Sequence, residues 1–227
     1  MYNHLAHHYD AFFPIDQHVK TFIEGVIQKE GYALDLGCGT GRVAQIIHEF
    51  GMEVTGIDLD ETMIEVARKR HPEIKFEVKN MLYAFEHESY DLVTCFGNTL
   101  PHLDESSLNL FFETVSKHLS RSGVLIIQML NYDLIMKNKP SSLRRIEQDG
   151  IVFERNYTYQ DRHILFHTRL IDHGIIQEGT NILFPHLKST LEHIILKHLL
   201  KPTFLEDDFK TRFNQNSPYL TILVHKS

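Results

Sequence analysis

Ala33-Leu34-Asp35-Leu36-Gly37-Cys38-Gly39-Thr40-Gly41-Arg42 is an apolar run carrying one acid, followed by glycine at alternate positions and the start of an amphipathic stretch. The order predicts a buried strand, a tight turn and a helix start. Glycines there allow positive φ and close approach of backbone to a ligand, and the helix N-terminus offers unpaired N–H groups. Taken alone, a glycine triplet fits a plain strand-to-helix turn as well as a binding loop. Asp58 tips the balance towards binding, because it ends the next apolar run 17 residues after Gly41, where an acid can hold the two hydroxyls of a ribose. A dinucleotide fingerprint would need Gly-x-Gly-x-x-Gly, whereas the spacing Gly37-x-Gly39-x-Gly41 leaves Arg42 at the third fingerprint position. Asp35, ahead of the loop, suits a ligand with a cationic amine or sulfonium and repels a pyrophosphate.

Outward from this loop, short apolar runs alternate with amphipathic stretches between Tyr32 and Leu130, the pattern of βα units closing a parallel sheet. The predicted strands are 32–36, 53–58, 74–78, 91–96 and 124–127, several lacking polar alternation as strands buried on both faces should. Helices are predicted over 41–50, 61–70 and from Asp104 or Ser106 to Leu119, with Gly123 ending the following turn. Asp16 to Glu30 reads as an amphipathic helix leading into the sheet. After Leu130 the rhythm changes. Ile151 to Tyr159, His163 to Ile171 and Ile175 to Phe184 read as antiparallel strands, so residues 144–184 form an antiparallel β insert. A helix from about Leu187 to Leu200, stopped by Pro202, and a hairpin from Thr203 to His225 complete the pattern. No linker or repeat divides the chain, so 1–227 reads as a single domain, with 1–30 as an N-terminal helical lid segment.

Composition narrows the function classes. With 42% hydrophobic and 23% charged residues the chain is globular, and 23 basic against 30 acidic residues give a net charge of −7, too acidic for a dedicated nucleic-acid binder. The two cysteines, Cys38 and Cys95, exclude a disulfide framework and a cysteine zinc cluster and point to a reducing compartment. Neither a signal peptide nor a membrane span is present in the pattern, so a cytoplasmic protein is expected.

The motif set resembles the class I S-adenosylmethionine-dependent methyltransferases, whose first motif is an acid followed by Gly-x-Gly-x-Gly. Asp58-Leu59-Asp60 with Met63 looks like the family's ribose-binding acid and adenine-packing helix start, and Asn80-Met81-Leu82 like the segment that holds adenine edge-on. Tyr90-Asp91-Leu92-Val93 begins the fourth strand, and Phe96-Gly97-Asn98-Thr99-Leu100-Pro101-His102-Leu103 falls where the family's loop reaches the reacting centre. Gly97-Asn98 with His102-Leu103, Asn131-Tyr132-Asp133 and Pro185-His186 are further similar to the glycine and sarcosine N-methyltransferases. The resemblance covers about residues 30–130. It implies a doubly wound, mostly parallel seven-stranded α/β sheet of Rossmann-like methyltransferase type, with S-adenosyl-L-methionine as cofactor.

The cofactor contacts it implies are Asp35, Gly37, Cys38 through its backbone, Gly39, Gly41, Asp58, Leu59, Met63, Asn80, Met81, Phe96, Gly97 and Asn98. Tyr9 and Asn131 are implied substrate contacts and, with His102, the candidate catalytic groups that grip an acceptor amine. Arg155 shares a strand face with Ile151, Phe153, Tyr157 and Tyr159 and is a candidate clamp for a substrate carboxylate, against the plainer reading of a solvated surface arginine. The N-terminal cluster of Tyr2, His4, His7, His8 and Tyr9 reads as a lid rather than a metal site, and no metal is expected. The expected reaction is in-line methyl transfer to a small-molecule acceptor, nitrogen favoured over oxygen. Alternatives are methylation of a tRNA or protein, and a non-catalytic domain that senses S-adenosylmethionine. Arg68-Lys69-Arg70 is a basic patch of the kind a tRNA could use, against the plainer reading of cations favoured at a helix C-terminus, and a homodimer through an exposed edge of the insert is the expected assembly if one forms.

Overall fold

The computed structural model describes residues 5–15, 17–27 and 30–227. A single turn α1 (Tyr9–Phe12) precedes α2 (Gln17–Val26), whose Val19 and Ile23 are buried against the sheet. Asp16, Gln28 and Lys29 of the predicted first helix, and Tyr2 and His4 of the N-terminal cluster, lie outside the described residues. The βα units follow as β1 (Tyr32–Leu36), α3 (Arg42–Glu49), β2 (Glu53–Asp58), α4 (Glu61–Arg70), β3 (Lys75–Val78), β4 (Tyr90–Cys95), α5 (Glu105–His118) and β5 (Leu119–Leu130). Local chemistry starts the helices where expected. The Asp60 carboxylate accepts the Thr62 and Met63 amides at the head of α4, and Asp104 accepts the Ser107 amide at 2.8 Å at the head of α5.

Beyond β5 come α6 (Tyr132–Asn138), the insert strands β6 (Ile146–Gln148), β7 (Ile151–Tyr159), β8 (Ile164–Asp172) and β9 (Ile175–Leu183), then α7 (Lys188–Lys197), β10 (Leu200–Leu205) and β11 (Tyr219–Lys226). The seven-stranded sheet has the order β10-β11-β5-β4-β1-β2-β3, with β1 to β5 mutually parallel and β11 antiparallel to both its neighbours. Strand β1 pairs with β2 on one side and β4 on the other, so the winding reverses there and leaves a crevice at the carboxyl ends of β1 and β4. No helix among the described residues is long and apolar enough to cross a membrane.

Three local expectations are corrected. The late helix ends at Lys197 and Pro202 stands inside β10 opposite Val224, where an edge strand tolerates the missing N–H. Gly123 lies within β5 beside a register shift against β4. An added Cβ would sit 2.7 Å from the Tyr90 carbonyl, so the residue marks a close backbone approach rather than a turn. The insert holds four strands, because Ile146–Gln148 adds one to the three read from sequence.

The insert packs on two partners. Its Tyr157, Ile164, Phe166 and Leu183 join the core that holds Leu100, Leu103 and Tyr132. At its other end Ile151, Phe153 and Leu170 receive Leu5 and Phe12, with the Phe12 and Phe153 rings stacked at 6.0 Å and His8 within 3.3 Å of Asp172. The N-terminal segment is thereby held over the carboxyl end of the sheet.

Candidate active site

The glycine loop joins β1 to α3 at the crevice. The Cys38 amide donates to the Ile57 carbonyl of β2 at 2.9 Å, which ties the loop to the neighbouring strand, and Gly41 stands at the head of α3 with φ +85°. Gly37 has φ +69°, and a Cβ there would meet Thr99 of the loop after β4 at 2.4 Å, so neither the conformation nor the space admits a side chain. The Asp58 carboxylate at the end of β2 accepts the Gly39 amide at 3.0 Å through Oδ2 and the Asp60 amide at 2.9 Å through Oδ1. Burial raises its pKa, while these amides oppose the shift.

Asp35 is 1% exposed. The Thr94 hydroxyl of β4 donates to its Oδ1 at 2.7 Å, and Oδ2 has no hydrogen-bond partner among the described residues. Desolvation dominates and pushes the carboxyl up to about 7, despite the opposing contributions of Thr94 and the Ala44 amide. An orphaned carboxylate oxygen beside a glycine loop, with a second acid at the end of the next strand, fits a ligand that brings both a cation and a diol. S-adenosylmethionine is such a ligand: Asp35 would face its cationic end and Asp58 its ribose.

The N-terminal segment reaches the crevice. A Cβ at Gly97 would lie 3.5 Å from the Tyr9 hydroxyl and one at Gly39 would lie 3.9 Å from its ring, so Tyr9 stands between the loops after β1 and β4. The Arg42 guanidinium lies 5.4 Å from the Tyr9 ring centroid. Asp10 accepts the Thr40 hydroxyl at 2.6 Å, pairs with Arg42 at 2.9 Å and pairs with Arg70, while Arg42 also bonds the Phe13 carbonyl. Burial raises the Tyr9 phenol above its ordinary pKa, so it remains a hydrogen-bond donor.

Other predicted residues are distributed as follows. Leu59 is exposed, and Met63 is buried with Ala6, Val66 and Tyr9 around it. Asn80 caps the 3-10 turn Met81–Tyr83 by accepting the Leu82 amide, and Met81 belongs to the main core. Phe96 packs near Phe209. Asn98, at φ +65°, donates to the Tyr132 hydroxyl and accepts the Leu130 amide, both at 3.1 Å, bracing the loop against β5 and α6. His102 lies in the 3-10 turn Leu100–His102 of the same loop, its pKa lowered by burial.

Asn131 requires correction. Its side chain is fully buried, donates to the Gln215 and Ser217 carbonyls at 3.1 and 2.8 Å and accepts the Leu134 amide as the cap of α6. Those bonds use both amide hydrogens. Arg155 is no solvated surface arginine either: its guanidinium lies over the Phe13 and Phe153 rings and bonds the Arg144 carbonyl at 2.8 Å.

Sequence reasoning missed Thr94, Asp10 and Arg70. A threonine inside the apolar run 91–96 was the available signal for the first. The other two pair across 60 positions, which no local pattern reveals.

Comparisons with known proteins agree with this fold. Residues 33–123 match the family model described as a methyltransferase domain. A putative methyltransferase, YqeM of Bacillus subtilis, is 31% identical over 162 residues, covering 67% of this chain and 65% of that protein. The glycine N-methyltransferase of Rattus norvegicus is 29% identical over 137 residues, covering 52% of this chain and 47% of that protein. The chain thus spans less than two thirds of the length of these curated relatives. A solved S-adenosylmethionine-dependent methyltransferase from Clostridium acetobutylicum superposes with a TM-score of 0.86 at 18% identity, covering 100% of this chain and 99% of that one, a likeness of fold.

Proposed function

We propose that the chain, whose residues 33–123 match a methyltransferase domain, works as a class I S-adenosylmethionine-dependent methyltransferase and methylates a nitrogen of a small-molecule acceptor. The observation that carries this reading is the pair of acids around the glycine loop, Asp35 with a buried oxygen left unpartnered and Asp58 fixed by two backbone amides. Bound S-adenosylmethionine supplies an electrophilic methyl group on a sulfonium. The chain's own work is then orientation and exclusion of water. Holding two reactants in attack geometry is worth up to roughly 7–11 kcal/mol, and no covalent residue is needed.

Asp35 and Asp58 bind and orient, and the segment bearing Tyr9 shuts the crevice from solvent. An aliphatic amine attacks only when neutral, although its pKa lies near ~10.4 by the lysine reference. His102 is a proposed hydrogen-bond partner that selects the neutral amine, since burial favours its own uncharged form. Tyr9 is the proposed grip on the amine, a role that Asn131 cannot share because its amide is already bonded. The glycine N-methyltransferase relative supports nitrogen as the acceptor atom. Arg68 bonds the Phe76 carbonyl and Arg70 pairs with Asp10, which leaves little of the basic run for a nucleic acid and supports a small acceptor.

Calorimetric titration with S-adenosylmethionine and S-adenosylhomocysteine, followed by tritiated methyl transfer to amines, amino acids and phenols, tests the proposal. Micromolar binding with turnover on amines is expected. Turnover confined to phenols would move the acceptor to oxygen, and absence of cofactor binding would overturn the reading.

A further inference from the structure

The register of the insert places Tyr157, Phe166 and Asn181 in one cross-strand row, Tyr157 opposite Phe166 and Phe166 opposite Asn181. Residues directly opposite share a face. It is the face turned to the domain core, because Tyr157 and Phe166 belong to the same buried core as Leu100, Leu103 and Tyr132, and the Phe184 amide just beyond β9 bonds the Pro101 carbonyl. Leu100 to Leu103 belongs to the loop that also carries Gly97 and His102. The row therefore stands beside the loop that follows β4 at the carboxyl end of the sheet.

Two polar side chains in this row are sealed in without partners. Tyr157 is 6% exposed and Asn181 is 4% exposed, yet the Tyr157 hydroxyl and the Asn181 Nδ2 have no hydrogen-bond partner among the described residues. A buried donor without an acceptor is costly, and native proteins retain such groups where a ligand or water completes them. Burial also holds the Tyr157 phenol in its donor form. Next along the same face of the strand, the Arg155 guanidinium lies over the Phe13 and Phe153 rings, so the face combines cationic, phenolic and amide donors.

We propose that the Tyr157 hydroxyl and the Asn181 amide form the polar subsite of the acceptor, engaging an oxygen that is not the methylated atom. The acceptor is then an amine carrying a second oxygen function, a carboxylate or a hydroxyl, rather than a simple alkylamine. This deepens the reading of the chain as a methyltransferase and rests on it. Since both donor atoms are closed to solvent, the acceptor displaces protein to reach them.

The test uses the full chain loaded with S-adenosylhomocysteine, titrated with glycine, 2-aminoethanol, glucosamine and, as the oxygen-free control, propylamine. At least one oxygen-bearing amine is expected to bind about tenfold or more tightly than propylamine. Tyr157→Phe and Asn181→Leu are each expected to erase most of that difference while leaving S-adenosylhomocysteine affinity and the unfolding midpoint close to wild type. No preference over propylamine overturns the proposal. So does a preference unchanged in both variants, or a loss of stability without a change in preference, which would mark a trapped water as the partner. Failure of S-adenosylmethionine and S-adenosylhomocysteine to bind the wild-type chain would instead overturn the methyltransferase reading beneath it.

Discussion

The Asp10 carboxylate accepts the Thr40 hydroxyl at 2.6 Å, fastening the N-terminal segment to the glycine loop that it covers. Arg42 and Arg70 bond the same carboxylate, so one side chain gathers three latch contacts. Partly exposed pairs contribute only about 0.2–1 kcal/mol each. Asp10→Ala is therefore expected to speed dissociation of S-adenosylhomocysteine by about three- to tenfold, read by stopped-flow fluorescence. An unchanged rate would mean that the segment does not govern access.

Asp58 is held by two amides, which aims its carboxylate and leaves lone pairs for a diol. Hydrogen bonds to a charged group are worth about 1.5–3 kcal/mol, so Asp58→Ala should weaken cofactor binding by roughly 10- to 150-fold. The Michaelis constant for the acceptor should move far less. Equal effects on both constants would refute the ribose assignment.

Asp35 titrates near 7 in the folded chain against 3.8 for an ordinary Asp. A raised folded pKa means that the native state holds the proton where the unfolded chain has released it. Its contribution to stability is thus full below about pH 4, falls as pH rises towards 7 and then levels off. A cationic ligand favours the ionised form, so cofactor affinity should rise about fivefold between pH 6 and 7. Calorimetry at the two pH values checks this, with Asp35→Asn expected to flatten the dependence.

Asn131→Ala removes a helix cap and two buried bonds, which should cost about 2–4 kcal/mol of stability. The expected signature is a lowered melting temperature with the acceptor's Michaelis constant unmoved. A selective rise in that constant would return Asn131 to the substrate site.

Gly37→Ala combines a positive φ with a Cβ 2.4 Å from Thr99, whereas Gly39→Ala has the positive φ and only an ordinary contact with Tyr9. The left-handed conformation costs about 1–2 kcal/mol and overpacking about 1–3 kcal/mol more. Thermal unfolding should therefore drop by about 5–15 °C for Gly37→Ala and clearly less for Gly39→Ala.

Much of the fold was legible because its signals are local. Asp60 and Asp104 cap the helices they precede, and the strand runs from Tyr32 to Cys95 lie where apolar patterning placed them. Pro202 and Gly123 were misread because each looks like punctuation in one dimension, while its setting is decided by a strand on the far side of a pair. The glycine loop and its two acids were readable by spacing. The latch through Asp10 and the commitment of Asn131 to the 215–217 backbone were not, since both depend on contacts across 30 or more positions. Arg155 was readable as a face but not as a contact, because Phe13 comes from another part of the chain.

Strand β11 lies between β5 and β10 and pairs with β5 from Tyr219 opposite Leu130, 89 positions apart. During synthesis β5 therefore emerges with its neighbour still unmade, and the whole insert must be threaded before that edge is closed. An unpaired apolar strand edge is a template for joining another chain. Such long-range pairing also slows folding, which lengthens the exposure. The synthesis of β11 thus determines when this edge of the nascent domain ceases to be prone to aggregation.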